Sequence, residues 1–355
     1  MNLKSLIIGE LTAKLPIIQG GMGVGVSLSS LASAVAREGG IGVISAAQPG
    51  FNEEDFETNT KEANVRALKR EIKKAKSMSN GGIIGVNIMV AMNNYEDFIK
   101  ASVEAGADVI ISGAGLPTTL PKYTKGSSVK IAPIVSSARA AKLMCKVWKE
   151  RYNYLPDFLV VEGPKAGGHL GFKMDELLDH EEEPLDKIVP EVIEVAKSYK
   201  DEKEIPVIAA GGIYTGSDIA KFLKLGADGV QMATRFICTE ECDADIKFKE
   251  EFLKCHEDEI KIIKSPVGMP GRAVHNQFLK DVEEGKVKVN RCFGCVKKCN
   301  PKTTPYCITR ALVNAVKGDV DHGLIFTGTN GYRNDKIVKV HDLINELVTE
   351  AEAAI

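Results

Sequence analysis

The fold class predicted for this chain is α/β: a (β/α)8 TIM barrel with an appended C-terminal subdomain. Three observations predict it. Eight short apolar runs recur between residues 15 and 255, cap-like residues open the segments between them, and glycines close those segments just before the next run.

The runs are "PIIQG" (16–20), "IGVISA" (41–46), "GIIGVNIMV" (82–90), "DVIISGA" (108–114), "KIAPIVSS" (130–137), "DFLVVEG" (157–163), "PVIAAGG" (206–212) and "GVQMATRF" (229–236). Each is nearly continuous in Val, Ile or Leu, the pattern of a parallel strand covered on both faces. Between them, "SLSSLASAVAREGG", "SSARAAKLMCKVWKE" and "TGSDIAKFLKLG" begin with Ser or Thr and read as amphipathic helices. In "AREGGIGV", "VEAGADVI" and "LKLGADGV" a glycine ends the helix and a strand follows within a few residues, as a left-handed C′ glycine and a short loop require. A doubly wound open sheet is the competing arrangement of the same units. Residues 1–255 are therefore assigned to the barrel. Residues 256–355 have another character, with a turn at "SPVGMPGR", a cysteine-rich segment and helices expected near 307–318 and 338–353. They are expected to form a helical lid packed on the barrel.

Composition narrows the function classes. The chain has 355 residues, 44% hydrophobic and 26% charged, with 46 basic against 48 acidic side chains. A net charge of -2 gives no basic field of the kind nucleic-acid binders use. No apolar run approaches the ~20 residues that cross a bilayer, and "MNLKSLIIGELTAK" lacks a signal-peptide core. The expected setting is the cytoplasm, with a small-molecule substrate, no nucleic-acid or membrane partner, and a homodimer left open.

In a barrel of this kind the chemistry lies at the carboxyl ends of the strands. Those ends carry Gly21, Met22, Gly23, Asn87, Glu162, Gly211, Gly212, Ala233 and Thr234 among small and uncharged neighbours. Such a rim suits a flat ligand touched largely by backbone. "AAGGIYTGSDI" and "MATRF" follow the seventh and eighth runs, where barrels commonly bind phosphate through glycine-rich turns. A tight turn capped by Ser217 is the alternative for the first segment, but two such segments at these strands favour phosphate. "QGGMGVGVSLSS" invites a dinucleotide reading, but no G-x-G-x-x-G register fits it. Its glycines instead let the Met22 backbone approach a ring system, with a helix starting near Ser27.

"PIIQGGM", the asparagine of "GVNIMV", "EGPKAGGHLG", "PVIAAGGI" and "GVQMATRF" together resemble the FMN-dependent nitronate monooxygenases, formerly called 2-nitropropane dioxygenases. Flavin-type enoyl-acyl-carrier-protein reductases are their close relatives. The likeness continues through "GMPGRAVHNQFLKDVE" and "ALVNAVKGDVDHGLIFTG". It implies FMN in a TIM barrel, its phosphate on Gly211, Gly212, Ala233 and Thr234, and its ring beside Gly21, Met22 and Asn87. Glu162, Gly167 and Gly168 match positions close to the flavin, and His169 matches the active-site histidine. The implied substrate is a nitronate, or an enoyl thioester with NAD(P)H as reductant. Two positions depart from the family pattern: Lys165 stands where glutamate is usual, and Ile134 where the monooxygenases carry lysine.

A histidine with its reference pKa near 6.5 can exchange a proton with substrate at neutral pH. His169 is accordingly expected to be the acid/base group. "RCFGCVKKCNPKTTPYC" spaces Cys292, Cys295, Cys299 and Cys307 as C-x2-C-x3-C-x7-C. That spacing suits Zn²⁺ or a [4Fe–4S] cluster, and equally a set of reduced thiols.

Overall fold

The computed structural model describes residues 3–355. It opens with an antiparallel hairpin, β1 (Leu6–Ile8) and β2 (Leu11–Ala13). The next six strands are β3 (Ile17–Gln19), β4 (Ile41–Ser45), β5 (Ile83–Met89), β6 (Val109–Gly113), β7 (Lys130–Val135) and β8 (Leu159–Glu162). After the short β9 (Gly168–His169) come β10 (Val207–Ala210) and β11 (Gly229–Met232). β3–β8, β10 and β11 form a closed parallel barrel in sequence order. Each of the eight apolar runs supplies one of these strands. Closure, which rules out the open sheet, comes from β11 pairing with β3 at Val230↔Ile17, Gln231↔Ile18 and Met232↔Gln19.

Strand residues alternate between two cores, as a period of two demands. Ile18, Val43, Val109, Ile111, Ala132, Val160 and Ile208 fill the barrel interior. Their neighbours Ile17, Ile44, Ile84, Ile110, Ile131, Leu159 and Val207 face the surrounding helices. Leu6, Ile8 and Ala13 of the hairpin join the interior cluster and plug it. At the amino-terminal rim, three aspartates repeat one device. Asp108, Asp157 and Asp228 accept an amide from the start of the preceding strand, from Ile84, Ile131 and Val207, at 2.7–2.8 Å.

The helix ends largely follow the expected chemistry. Gly39, Gly106 and Gly226 have φ of +94°, +82° and +97°. The amides of Ala107 and Ala227 reach back to the carbonyls of Ser102 and Phe222, as a Schellman ending requires. Ser137 caps helix Ala138–Tyr152. Two expectations need correction. Thr215, not Ser217, caps helix Gly216–Lys224, in a reciprocal pair with Asp218. The first barrel helix is Ser29–Arg37, and its amino end is capped from a distant loop by Asp243, which accepts from the amides of Leu28, Ser30 and Leu31.

Past the barrel, β12 (Ile260–Lys264) and β13 (Pro270–Val274) form a hairpin that pairs antiparallel with β9. Helices Ile308–Val316 and Val340–Ala354 match the two expected near the C-terminus. The second packs on helix Gly216–Lys224: a Cβ on Gly216 would meet the Leu347 carbonyl and the Glu350 side chain. No helix among the described residues is long and apolar enough to cross a membrane.

Candidate active site

Gly21, Met22, Gly23, Asn87, Glu162, Gly167, Gly168, His169, Gly211, Gly212, Ala233 and Thr234 all line one cleft at the carboxyl ends of the strands. It encloses about 1520 Å³ of space free of protein atoms, counting the open solvent at its mouth. Barrel closure is what unites them, because β3, β5, β8, β10 and β11 deliver them from five places in the sequence.

Gly21 must lack a side chain, since a Cβ there would collide with the side chain of Asn87. Gly167 is a different case from the one expected. A Cβ at Gly167 would stand 2.5 Å from the Gly328 amide nitrogen, so this glycine admits the 327–328 backbone, not only a ligand. Segment 327–330 is then tied down from three sides. Gly328 N donates to Thr234 Oγ1 at 3.0 Å, Thr329 N to the Lys165 carbonyl at 3.2 Å, and Asn330 Nδ2 to the Gly212 carbonyl at 2.9 Å. Gly211 and Gly212 hold φ of +97° and +84°.

His169 sits in β9, held by backbone pairing to Gly271. Its Nε2 is 2.7 Å from Ser265 Oγ, and Phe326 meets the ring edge-on at 5.0 Å. Ser265 is buried in the β12–β13 turn and accepts from the Val267 amide at 3.3 Å. Burial penalises the imidazolium and lowers the His169 pKa to about 4. This corrects the expectation of a group titrating near 6.5: at neutral pH the ring is uncharged. Glu162, on the same cleft, moves the opposite way, to about 8, because burial penalises its carboxylate. The pair is thus a neutral imidazole and a largely protonated carboxylic acid, with the two environments separating base from acid.

Buried Arg272 of β13 donates from Nη1 to the carbonyls of Pro164 and Ala166, at 2.7 and 2.5 Å. It clamps the loop that carries His169. Burial holds its pKa down at about 10, far enough above neutrality to keep the guanidinium charged. Gln231 of β11 presents a buried Oε1 with no partner, and Gln231 lines the cleft. Ser265, Arg272, Gln231 and the 327–330 segment were not identified from sequence. Arg272 lies inside "GMPGRAVHNQ", which carries no sign of what a distant loop would need from it.

The four clustered cysteines are free thiols. Among the described residues no group of three or more His, Cys, Asp or Glu side chains is placed to hold a metal ion. The zinc or iron–sulfur ligand set suggested by the spacing is thus not preassembled, although the four sulfurs lie near enough to interact electrostatically with one another. Cys292 Sγ accepts from Gly294 N at 3.3 Å, Cys295 is hydrogen-bonded with Thr309, and Cys299 with Thr304. Cys307 precedes helix Ile308–Val316. Burial raises the pKa of Cys295, Cys299 and Cys307. The segment also lines up against the barrel rim, where Asn93 N donates to the Cys295 carbonyl at 3.1 Å.

Comparison with known proteins places these features in context. Residues 4–350 match the family model described as nitronate monooxygenase. A curated relative from Rhodococcus jostii, "(3aS,4S,5R,7aS)-5-hydroxy-7a-methyl-1-oxo-octahydro-1H-indene-4-carboxyl-CoA dehydrogenase", is 26% identical over 268 residues, which are 76% of this chain. The chain spans 65% of that relative's length. A probable nitronate monooxygenase from Staphylococcus saprophyticus is 24% identical over 313 residues, covering 80% of this chain and 82% of the relative. The structure of FabK from Thermotoga maritima is similar with a TM-score of 0.72 at 26% identity, covering 95% of this chain and 93% of FabK.

Proposed function

Since this chain belongs to the nitronate monooxygenase family, we propose that it is an FMN-dependent oxidoreductase that oxidises alkyl nitronates with O2. The observation that carries this is the meeting of the twelve rim residues on one cleft that also presents the unpartnered Gln231 Oε1. The amides of Gly212 and Ile213 have no acceptor among the described residues, and suit a phosphate. The orphaned Gln231 Oε1 suits a ring that carries an N–H donor. The site therefore fits FMN, held by Gly211, Gly212, Ala233 and Thr234 at its phosphate and by Gly21, Met22, Asn87 and Gln231 around its ring. When bound, FMN supplies the redox chemistry between substrate and oxygen.

The chain's own residues orient substrate and manage protons. Ser265 occupies His169 Nε2, so Nδ1 is the ring nitrogen without a protein partner. Neutral His169 accepts the α-proton of a nitroalkane there, or a hydrogen bond from a substrate already ionised. Glu162 keeps its proton up to about pH 8 and donates a hydrogen bond without adding a negative charge to the cleft. Residues 256–355 serve this site as a lid subdomain, with the β12–β13 turn bringing Ser265 onto His169.

Ile134 favours a second reading. It lines the cleft with Met89 and Phe326, making an apolar wall without a cation where the family's monooxygenases carry lysine. Such a wall suits an acyl chain, and the second reading is an NAD(P)H-dependent enoyl-thioester reductase on the same scaffold. Anaerobic mixing separates the two. The first reading expects the flavin band to bleach with an alkyl nitronate. Rapid bleaching by NAD(P)H with no response to the nitronate would refute it in favour of the second. A purified protein with no flavin absorbance, even after incubation with FMN, would refute both.

A further inference from the structure

Three of the cations beside the cleft have partners. Arg235 pairs with Glu346, Arg272 donates to two carbonyls, and Arg333 lies over the Tyr214 ring at 4.5 Å. Lys165 is the exception. Its side chain is exposed and lines the cleft, and its ammonium has no acceptor or carboxylate among the described residues. Its position is nonetheless set. The Lys165 carbonyl is bonded to Thr329 N, and the loop that carries it is clamped by Arg272 on either side, at Pro164 and Ala166. The side-chain stem runs across Gly212: a Cβ there would stand 2.8 Å from Lys165 Cβ and 3.2 Å from Cδ. Gly212 is also the residue whose amide, with that of Ile213, is left without an acceptor. An unpaired cation and two unpaired N–H donors thus share one turn at positive φ.

We propose that Lys165 is the counter-cation for the terminal phosphate of the bound flavin mononucleotide and makes the site select a phosphorylated flavin over an unphosphorylated one. The inference rests on the flavin reading above. Backbone amides alone supply dipoles, whereas a phosphate dianion is held more strongly when one donor is a full charge. The glutamate usual at this position would instead repel the dianion. Here the charge is reversed, and the glycine beneath it leaves the ammonium a path along the turn. Because the lysine is exposed, the interaction is a charge–charge contact in water and must weaken with salt.

The test uses the full chain equilibrated with FMN or with riboflavin, which has the same ring and no phosphate. Bound and free flavin are separated by ultrafiltration at 50 mM and about 500 mM NaCl. Lys165→Gln is expected to weaken FMN binding about 5–30-fold, and Lys165→Glu by more, while riboflavin affinity stays within about twofold. The salt dependence of FMN binding should become shallower in both variants. Circular-dichroism melts that match the parent protein within about 2 °C establish that these exposed substitutions leave the fold intact. An unchanged FMN affinity, or an equal loss for both flavins, overturns the role of Lys165 and leaves the flavin reading standing. Failure of the parent chain to bind either flavin overturns both.

Discussion

Replacing Glu162 by glutamine removes a titration while keeping size and a hydrogen-bond donor. The carboxyl moves from an ordinary 4.5 to about 8 on folding because burial penalises its charged form. Between those values the unfolded chain has released the proton and the folded chain still holds it. The stability of the parent protein therefore falls as pH rises from about 4.5 to 8, and this loss is complete above 8. At ~1.4 kcal/mol per pKa unit the ceiling is ~5 kcal/mol. Part of Glu162 faces the open cleft, where water screens the charge, so a difference of ~2 kcal/mol is the working expectation. Urea unfolding of flavin-free protein at pH 5, 7 and 9 reads it directly. Glu162→Gln should match the parent within about 0.5 kcal/mol at pH 5 and exceed it by ~2 kcal/mol at pH 9. A difference that stays constant across that range, or that favours the parent as pH rises, would refute the assignment of a buried, protonated carboxyl.

Further expectations concern neighbouring groups. The acid limb of kcat/KM should lie near pH 4, where burial has placed His169, and a limb near 6.5 would show the imidazole to be solvated. Ser265→Ala frees His169 Nε2 and the ring's orientation, so kcat should drop about 10-fold or more with flavin content unchanged, and Ser265→Thr should recover part of it. Gly167→Ala forces a Cβ against the Gly328 amide, and should both lower the melting temperature and weaken flavin retention by displacing segment 327–330. Asp243→Ala strips helix Ser29–Arg37 of a cap that serves three amides, at a cost of ~2 kcal/mol in urea unfolding at neutral pH. That cost should grow as pH falls from about 6 toward 4, because burial has raised the Asp243 pKa and the folded chain there holds a proton that the unfolded chain has released.

Much of the barrel was legible because its signals are local. Each strand is a run of branched apolar residues, and each of Gly39, Gly106 and Gly226 marks a helix end through its own backbone freedom. The rim glycines and Asn87 were legible too, since a strand's carboxyl end can be read from where the apolar run stops. The cysteine spacing left two readings open for the converse reason. Spacing along a chain limits which sulfurs could meet, but the contacts of Cys292, Cys295 and Cys299 with their own neighbours decide whether they do.

The amino-acid order by itself determined eight β/α units, the carboxyl-end rim that bears the site and the resemblance to a flavin family, all properties of short windows or of their succession. Only the tertiary structure decided what each rim residue experiences. His169 was expected to titrate near neutrality. Burial beside Phe326, under a turn that begins 96 residues away at Ser265, makes it neutral instead. Arg272 reaches back 108 residues to Pro164, and Gly328 enters only because Gly167 leaves room. Desolvation and close packing depend on which distant segments fill the space around a group, and no local pattern encodes that.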